Sequence, residues 1–314
     1  YSLDLKGSEY FTIYVRKISD NKIISDEIHE TSGSVTWSLD DKYIFYSKLD
    51  EHHRPRKIYR HQIGTKTKDD QLIYEEKDEG FTCAISMSSD EKYFFISTSD
   101  HTTSEIYFFD VNDLSPKPNL FRKRQKEIRY SVDSWKENFF IHTNLDAEDF
   151  KICICKHRDI NNWQDYIPAT KGVLIGGFDL LNEWMVRSEL RDAITKLYVR
   201  NLKTNKEEDL VITDEKVITP GASLMQKDRN TNKMYIAYNS PKTPGKSYIY
   251  DIVTKEKKLV KEEIVPSGHQ SNDYIVERLN CDSHDGRKIP LTITRHKKTK
   301  LDGSANLLLY AYGS

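Results

Sequence analysis

The hydrophobic positions of the chain follow one pattern that recurs five times. Each copy is a short β-prone run, a polar turn of Asp, Glu, Lys or Asn, and a second run rich in aromatic and β-branched residues, which is typical of a β-hairpin. The copies occupy residues 35–47, 85–97, 130–143, 177–188 and 224–238. Their apolar centres lie at residues 44, 94, 139, 185 and 235, so the unit repeats about every 45 to 50 residues, a period typical of propeller blades. The pattern predicts an all-β repeat protein of the β-propeller class.

Two further strands follow each hairpin in the pattern and complete a four-stranded unit. Third strands are predicted at residues 56–63, 104–110, 150–156, 196–201 and 247–251, and outer strands at 70–76, 119–122, 163–167, 209–212 and 257–262. No segment with a helical period interrupts them. Residues 1–18 can be laid on residues 46–63, which predicts that the chain begins inside a blade whose leading strands are missing. We therefore expect a β-propeller domain over residues 1–265.

The pattern changes after residue 265. The segment VPSGHQS breaks the repeat, two strands are predicted at residues 273–281 and 289–296, and the chain ends on the apolar run NLLLYAY at residues 306–312. A continuous apolar run is typical of a strand covered on both faces, as in an α/β domain. Residues 266–314 are therefore predicted to be a linker and the first strands of a second, truncated domain.

Composition narrows the possible functions. The chain has 48 basic and 49 acidic residues, scattered along its length, which argues against a dedicated nucleic-acid surface. No apolar run reaches the roughly 18–20 residues of a membrane span. Cys153 and Cys155 form a CxC pair, but no second pair lies at a useful spacing. Reduced thiols of a cytoplasmic protein are therefore favoured over a metal site, and no metal or cofactor is predicted.

No catalytic serine is evident in the sequence. The chain contains no G-x-S-x-G elbow, the strand–turn–helix motif of hydrolase nucleophiles. Ser267, Gly268 and His269 are consecutive, but they lie in the linker without that context, so no catalytic role is predicted for them. His52 and His53 lie in a polar loop, where a surface position is favoured over metal binding.

The last residues resemble the start of the catalytic domain of the prolyl oligopeptidase family of serine peptidases. The resemblance rests on the turn DGRKIP, the segment LDGS and the final LLLYAYGS. Interior segments such as LIYEEKDEGF, STSDHTTSEI and VPSGHQSNDYIVERL are similar to the oligopeptidase B (protease II) branch. The resemblance implies a seven-bladed propeller, incomplete here, ahead of an α/β-hydrolase domain. It also implies an enzyme that cleaves short peptides after Arg or Lys, with its Ser, Asp and His beyond the end of this chain.

The resemblance assigns two site residues. Tyr312 matches the second Tyr of the family motif YGYG, whose hydroxyl donates to the oxyanion; Ala311 stands where the family usually has Gly, and a plain strand-end aromatic is the alternative. Glu105, in the segment TTSE, is a candidate substrate-gating residue at the tunnel or domain interface, where acidic groups would attract basic peptides. A solvated loop charge is the alternative for Glu105, and the same two interpretations apply to Glu75, Glu76 and Asp78.

The leading hypothesis is therefore the propeller portion of an oligopeptidase B-like peptidase, inactive alone. Its expected partners are short basic peptides and the missing catalytic domain, with no nucleic acid or membrane. The alternatives are a free-standing propeller that binds peptides or proteins, and a decayed or split gene product. The apolar run at residues 306–312 argues against the free-standing propeller, because such a run would be exposed and prone to aggregation there.

Overall fold

The computed structural model of the protein describes residues 1–113, 116–224 and 229–311. In these residues the chain forms β-strands and short 3₁₀ turns, with no α-helix. The chain divides into two compact units, Tyr1–Lys171 and Gly172–Ser314. This division falls between the third and fourth sheets and does not bear on the domain boundary proposed at residue 265, which stays a prediction.

The first sheet carries six antiparallel strands in chain order. They are β1 (Ser2–Leu3), β2 (Phe11–Arg16), β3 (Ile23–Trp37), β4 (Tyr43–Leu49), β5 (Pro55–Gln62) and β6 (Gln71–Glu75). Strand β3 serves two blades, because residues 23–31 pair with β2 and residues 31–37 pair with β4. Ser2 pairs with Ile13 as Ser47 pairs with Ile58. Strands β1 and β2 therefore occupy the places of β4 and β5 in the next blade, as the internal repeat predicted.

The passage from one blade to the next within β3 depends on Gly33. Its φ is +84°, and a Cβ at this position would lie 2.8 Å from Cγ of the Phe11 ring. Any side chain here would meet both an unfavourable backbone conformation and a steric overlap. Glycine therefore allows the strand to leave one blade and enter the next.

Two four-stranded antiparallel sheets complete the first unit. The second sheet contains β7 (Thr82–Met87), β8 (Tyr93–Ser99), β9 (Ser104–Asp110) and β10 (Asn119–Arg122), and the third contains β11 (Tyr130–Trp135), β12 (Asn138–Thr143), β13 (Lys151–Lys156) and β14 (Gln164–Ile167). These bounds confirm the predicted strands to within two residues at nearly every end. Cys153 and Cys155 are buried on β13, and burial raises the pKa of the Cys153 thiol to about 11, so it stays protonated.

The second unit holds two more four-stranded sheets and a hairpin. The fourth sheet contains β15 (Val173–Leu181), β16 (Trp184–Arg191), β17 (Ile194–Asn201) and β18 (Glu207–Asp209), and the fifth contains β19 (Thr219–Leu224), β20 (Lys233–Asn239), β21 (Lys246–Asp251) and β22 (Lys257–Glu262). The hairpin consists of β23 (Tyr274–Asp282) and β24 (Lys288–His296). The turn predicted between β19 and β20 falls partly on residues 225–228, outside the described part of the chain.

The outer strand predicted at residues 209–212 is wrong in position. Strand β18 ends at Asp209, and the following Leu210 and Ile212 are buried in the apolar core between the fourth and fifth sheets. Their apolar character therefore reflects core packing beyond the strand.

The polar turns that signalled the repeat adopt one shared conformation. Asp41, Glu91, Lys136 and Asn182 each have a φ between 46° and 61° at the turn between the first two strands of a blade. In the first two of these turns a serine orders the loop, since Ser38 Oγ donates to Asp40 and Ser88 Oγ donates to Asp90. The repeated polar residues are thus the residue types that tolerate this tight turn.

Five blade sheets are found in the described residues, so the expectation of seven is not met within this chain. The seven-blade count came from the family resemblance, and these residues supply strands for five sheets and one partial blade. Apolar clusters fill the gaps between neighbouring sheets in each unit, which is how propeller blades pack. The all-β propeller class is confirmed.

A buried histidine ties the partial blade to the complete blade of the same sheet. His61 on β5 is fully buried, with Nε2 3.2 Å from Asp26 on β3 and Nδ1 2.7 Å from Asp70 ahead of β6. Burial alone would lower the pKa of His61, but the hydrogen bonds to Asp70 and Asp26 outweigh it and raise the pKa above the ordinary value. Folding therefore favours the charged form of the His61 imidazole.

We expect His61 to make the chain less stable as the pH rises. A pKa raised by folding contributes stability that is fully present below the unfolded value, about 6.5, and lost as the pH rises through the folded value. Thermal melts followed from pH 6 to pH 9 should show a falling midpoint, with a smaller slope in His61→Gln. The control His101→Gln changes an exposed histidine and should keep the wild-type slope. Equal slopes in all three proteins would contradict the assignment.

Candidate functional site

The structure places Glu105 inside a buried ion-pair cluster. Its side chain is 5% exposed. It accepts hydrogen bonds from the Arg124 backbone N at 2.8 Å, from Arg124 Nε at 3.1 Å and from the Tyr107 hydroxyl at 2.9 Å. Glu105 lies at the start of β9, and Arg124 holds its carboxylate in place. Whether it contacts a peptide stays a prediction.

Glu76 joins the same cluster from the end of the first sheet. Its Oε2 accepts from Arg124 Nη2 at 2.6 Å and from Thr98 Oγ1 at 2.7 Å. Burial would raise the pKa of Glu76, but hydrogen bonds from the Asp78 backbone, Thr98 and Arg124 outweigh it and lower the pKa. Glu76, Thr98, Glu105 and Arg124, here called the Arg124 cluster, thus join the first sheet to the second.

The sequence did not point to Arg124. It lies in the basic segment RKRQK between the second and third sheets, and its guanidinium also covers the Phe81 ring at 4.0 Å. The two other acidic candidates are surface groups: Glu75 pairs with Lys57 and Lys77, and Asp78 is exposed. Of these carboxylates, the two that are buried, Glu76 and Glu105, are the two that the half-buried Arg124 guanidinium binds.

A serine–histidine contact in the third sheet lacks the geometry of a nucleophile. Ser134 Oγ is fully buried, lies 2.9 Å from His157 Nε2 and donates to Asp90 at 3.0 Å. Because Ser134 Oγ donates its proton to Asp90, the proton is not directed at His157 as a catalytic base would require. This contact joins the second and third sheets.

His269, the histidine of linker residues 267–269, contacts residues of its own compact unit. His269 Nε2 lies 2.6 Å from the Lys242 carbonyl oxygen, to which it donates, and its ring stacks on Tyr274 at 5.0 Å. Arg278 on β23 donates to the Asp192 carbonyl at 2.6 Å. The linker and the hairpin are therefore fixed to loops of the fourth and fifth sheets.

The apolar run that follows the hairpin is exposed. Leu307, Leu308, Leu309 and Tyr310 are 78–89% exposed, and residues 306–311 form no strand. The reason is that no neighbouring strand among the described residues pairs with them. Tyr312 lies outside the described residues, so its oxyanion role stays a prediction.

A cavity of about 340 Å³ lies between the fourth and fifth sheets. Asp179, Val186, Ser188, Thr195 and Leu197 line it from the fourth sheet, and Pro220, Gly221 and Ala222 line it from β19. Strands β15 and β19 are each the first strand of a blade and form one edge of their sheets, the edge that faces the central channel in propellers. The cavity is thus lined by the first strands of both blades and extends along the gap to β16 and β17.

A bulge in β15 sets the position of Asp179. The pairing with β16 shifts between Ile175 and Phe178, and a Cβ at Gly176 would lie 2.2 Å from Ser188 Oγ. Glycine therefore permits the close approach of the two strands at the bulge. Beyond it Asp179 pairs with Val186, so its side chain lies on the same face as the apolar core between the sheets.

The Asp179 carboxylate is poorly compensated. Burial in this apolar gap raises its pKa, and Arg229 offsets part of the rise. Arg229 Nη1 lies 4.0 Å from Asp179 Oδ1, which is too long for a hydrogen bond, and this buried nitrogen has no hydrogen-bond partner among the described residues. Asp179 is therefore an acidic group in an apolar cavity with unused acceptor capacity.

In the described residues no helix is long and apolar enough to cross a membrane. Nor do His, Cys, Asp and Glu side chains in that part of the chain form a group of three arranged to hold a metal ion.

Residues 1–263 match the family described as prolyl oligopeptidase, N-terminal beta-propeller domain. Protease 2 from Moraxella lacunata is 28% identical over 98% of this chain and 44% of its own length. Dipeptidyl aminopeptidase BI from Pseudoxanthomonas mexicana is 29% identical over 100% of this chain and 43% of its own length. The chain thus spans less than half the length of these relatives.

Two solved structures are also similar to this chain, and it spans less than half the length of each. Oligopeptidase B from Trypanosoma brucei, in a closed form with covalently bound antipain, is 27% identical, with a TM-score of 0.87 over 96% of this chain and 43% of that chain. Oligopeptidase B from Leishmania major is 23% identical, with a TM-score of 0.89 over 96% of this chain and 44% of that chain, and this likeness concerns the fold alone.

Proposed function

The chain belongs to the prolyl oligopeptidase family through its N-terminal propeller, and we propose that it is the substrate-gating propeller of an oligopeptidase B-like serine endopeptidase. The proposed enzyme cleaves short peptides after Arg or Lys in the cytoplasm. The observation that carries this proposal is the likeness to oligopeptidase B from Trypanosoma brucei, which extends over 96% of this chain at 27% identity.

The proposed gating rests on how the blades pack. Apolar side chains fill most of the gap between neighbouring sheets in each unit, so a complete ring of such blades leaves its central channel as the open path. We propose that the complete ring has seven blades and that residues 266–314 begin a hydrolase domain. Such a gate admits short peptides and excludes folded proteins by size.

A second candidate activity is the release of dipeptides from the N-terminus of a peptide. It is favoured by the 29% identity with dipeptidyl aminopeptidase BI over the whole of this chain. The two activities differ in where the peptide is cut, so one substrate panel distinguishes them.

A chimera tests the proposal. Residues 1–314 replace the corresponding segment of Protease 2 from Moraxella lacunata, and the product is assayed on internally quenched peptides with a single Arg, Lys or Pro, and on dipeptidyl amides. We expect hydrolysis after Arg and Lys at a rate within about tenfold of the parent protease. The 314-residue chain alone is the control. It should neither hydrolyse these peptides nor be labelled by serine-directed phosphonates, because its sequence contains no G-x-S-x-G elbow to present an activated serine.

Three results would overturn the proposal in distinguishable ways. Release of dipeptides without internal cleavage would favour the second activity. A folded but inactive chimera, together with peptide binding by the chain alone, would favour a free-standing binding propeller. Phosphonate labelling of the chain alone would show a nucleophile that the sequence does not reveal.

A further inference from the structure

The cavity beside Asp179 has the features of a small-ligand site. Its volume of about 340 Å³ falls within the range of ligand pockets, about 300–1,000 Å³. Val186, Leu197, Pro220 and Ala222 supply apolar walls. Three residues with polar side chains that carry oxygen, Asp179, Ser188 and Thr195, line the same space. Arg187 lines it as well, but its guanidinium is paired with Glu189 and Glu207.

The chemistry of these groups selects the ligand. An ammonium group carries three N–H donors and a positive charge, and the cavity offers a carboxylate and two hydroxyl oxygens. An aliphatic stem suits the apolar walls, whereas an anion would meet the Asp179 charge. The 40% exposure of the Asp179 side chain leaves the carboxylate accessible from solvent.

Arg229 does not form a hydrogen bond with the Asp179 carboxylate. The two groups are 4.0 Å apart, and Arg229 Nη1 donates no hydrogen bond to the described residues. The buried carboxylates of Glu76 and Glu105, by contrast, are both bound by Arg124. Asp179 is thus held in a partly buried position, with no hydrogen bond from Arg229.

We propose that this cavity binds the alkylammonium group of a peptide, either a lysine side chain or an N-terminal amine, as a subsite on the propeller. The proposal deepens the proposed function, since it assigns a recognition site for basic peptides to the gating domain. Binding is measured on the 314-residue chain without hydrolysis, so failure here leaves the peptidase assignment standing.

Calorimetric titration of the 314-residue chain tests the proposal with three probes. Nα-acetyl-lysine methylamide carries only a side-chain ammonium, alanyl-alanine methylamide carries only an N-terminal ammonium, and Nα-acetyl-norleucine methylamide carries neither. We expect at least one ammonium probe to bind at least about tenfold more tightly than the norleucine probe. The stronger of the two identifies the source of the ammonium group.

Three variants locate the site. Asp179→Asn removes the charge at nearly constant volume and should weaken ammonium binding about tenfold or more. Ala222→Leu keeps the charge but fills the cavity from β19, and should weaken binding similarly. The matched control Asp209→Asn removes an exposed carboxylate of the same sheet that pairs with Lys196, and should leave the affinity unchanged within about twofold.

Thermal melts establish that each variant is folded. No preference for ammonium over norleucine, or equal loss in Asp179→Asn and Asp209→Asn, would overturn the proposal. If Ala222→Leu does not fold, the comparison of the two aspartate variants still decides, because neither substitution adds volume.

Discussion

Replacing Arg124 with methionine is expected to lower the free energy of unfolding of the chain by about 3–5 kcal/mol. Arg124 is the only cation of its cluster and bonds both Glu76 and Glu105, each 5% exposed. Its removal leaves two carboxylates buried without a counter-ion, and such groups must either be hydrated or protonated at a cost. Urea unfolding followed by circular dichroism measures the loss.

Lys123→Met is the matched control, because it removes an exposed cation one residue away and should change the stability by less than about 0.5 kcal/mol. A second arm places Arg124→Met in a Glu105→Gln background, where only one buried charge is left unpaired. The cost of Arg124→Met should be smaller there, since contacting residues are coupled. Equal cost in both backgrounds would show that Arg124 acts through packing on Phe81 alone.

The substitution Tyr312→Phe in the chimera is expected to lower kcat about 10²–10³-fold with little change in stability. The expectation rests on the family motif, in which this hydroxyl donates to the oxyanion of the tetrahedral intermediate. Removing the hydroxyl takes away one hydrogen-bond donor and little volume. Initial rates at saturating substrate, together with thermal melts, separate a chemical effect from a folding effect.

Tyr310→Phe is the control, because it makes the same change two residues earlier in the run, at a side chain that is 81% exposed in this chain. It should leave kcat within about twofold. A kcat for Tyr312→Phe within a few-fold of the parent chimera would assign Tyr312 to packing. An equal loss in both variants would mean that the whole run, and no particular hydroxyl, affects the rate.

The strands of this protein could be predicted because their signals are local. Alternating apolar positions set which residues face the gaps between sheets, and polar residues set the turns at Asp41, Glu91, Lys136 and Asn182. Both depend on residues within about ten positions of each other. Strand β18 was misplaced because Leu210 and Ile212 are apolar where they pack in the core, and a single sequence does not separate core packing from strand burial.

The candidate sites could not be predicted in the same way, because their members are far apart in the chain. The sequence singled out Glu105 but missed Arg124, 19 residues later, whose guanidinium neutralises it. Nothing in the sequence indicated that Asp179 lines a cavity. That cavity depends on the bulge at Gly176 and on small residues of β19, which only the folded chain brings beside Asp179.

The sequence by itself therefore determined the blade repeat, the strand order and the family, through periodicity and short motifs. Only the tertiary structure decided which charges are compensated and which are not. The physical reason is that the energy of a buried charge depends on the partners that other strands bring within hydrogen-bond distance. Glu105 has such a partner in Arg124, whereas Asp179 faces Arg229 at 4.0 Å.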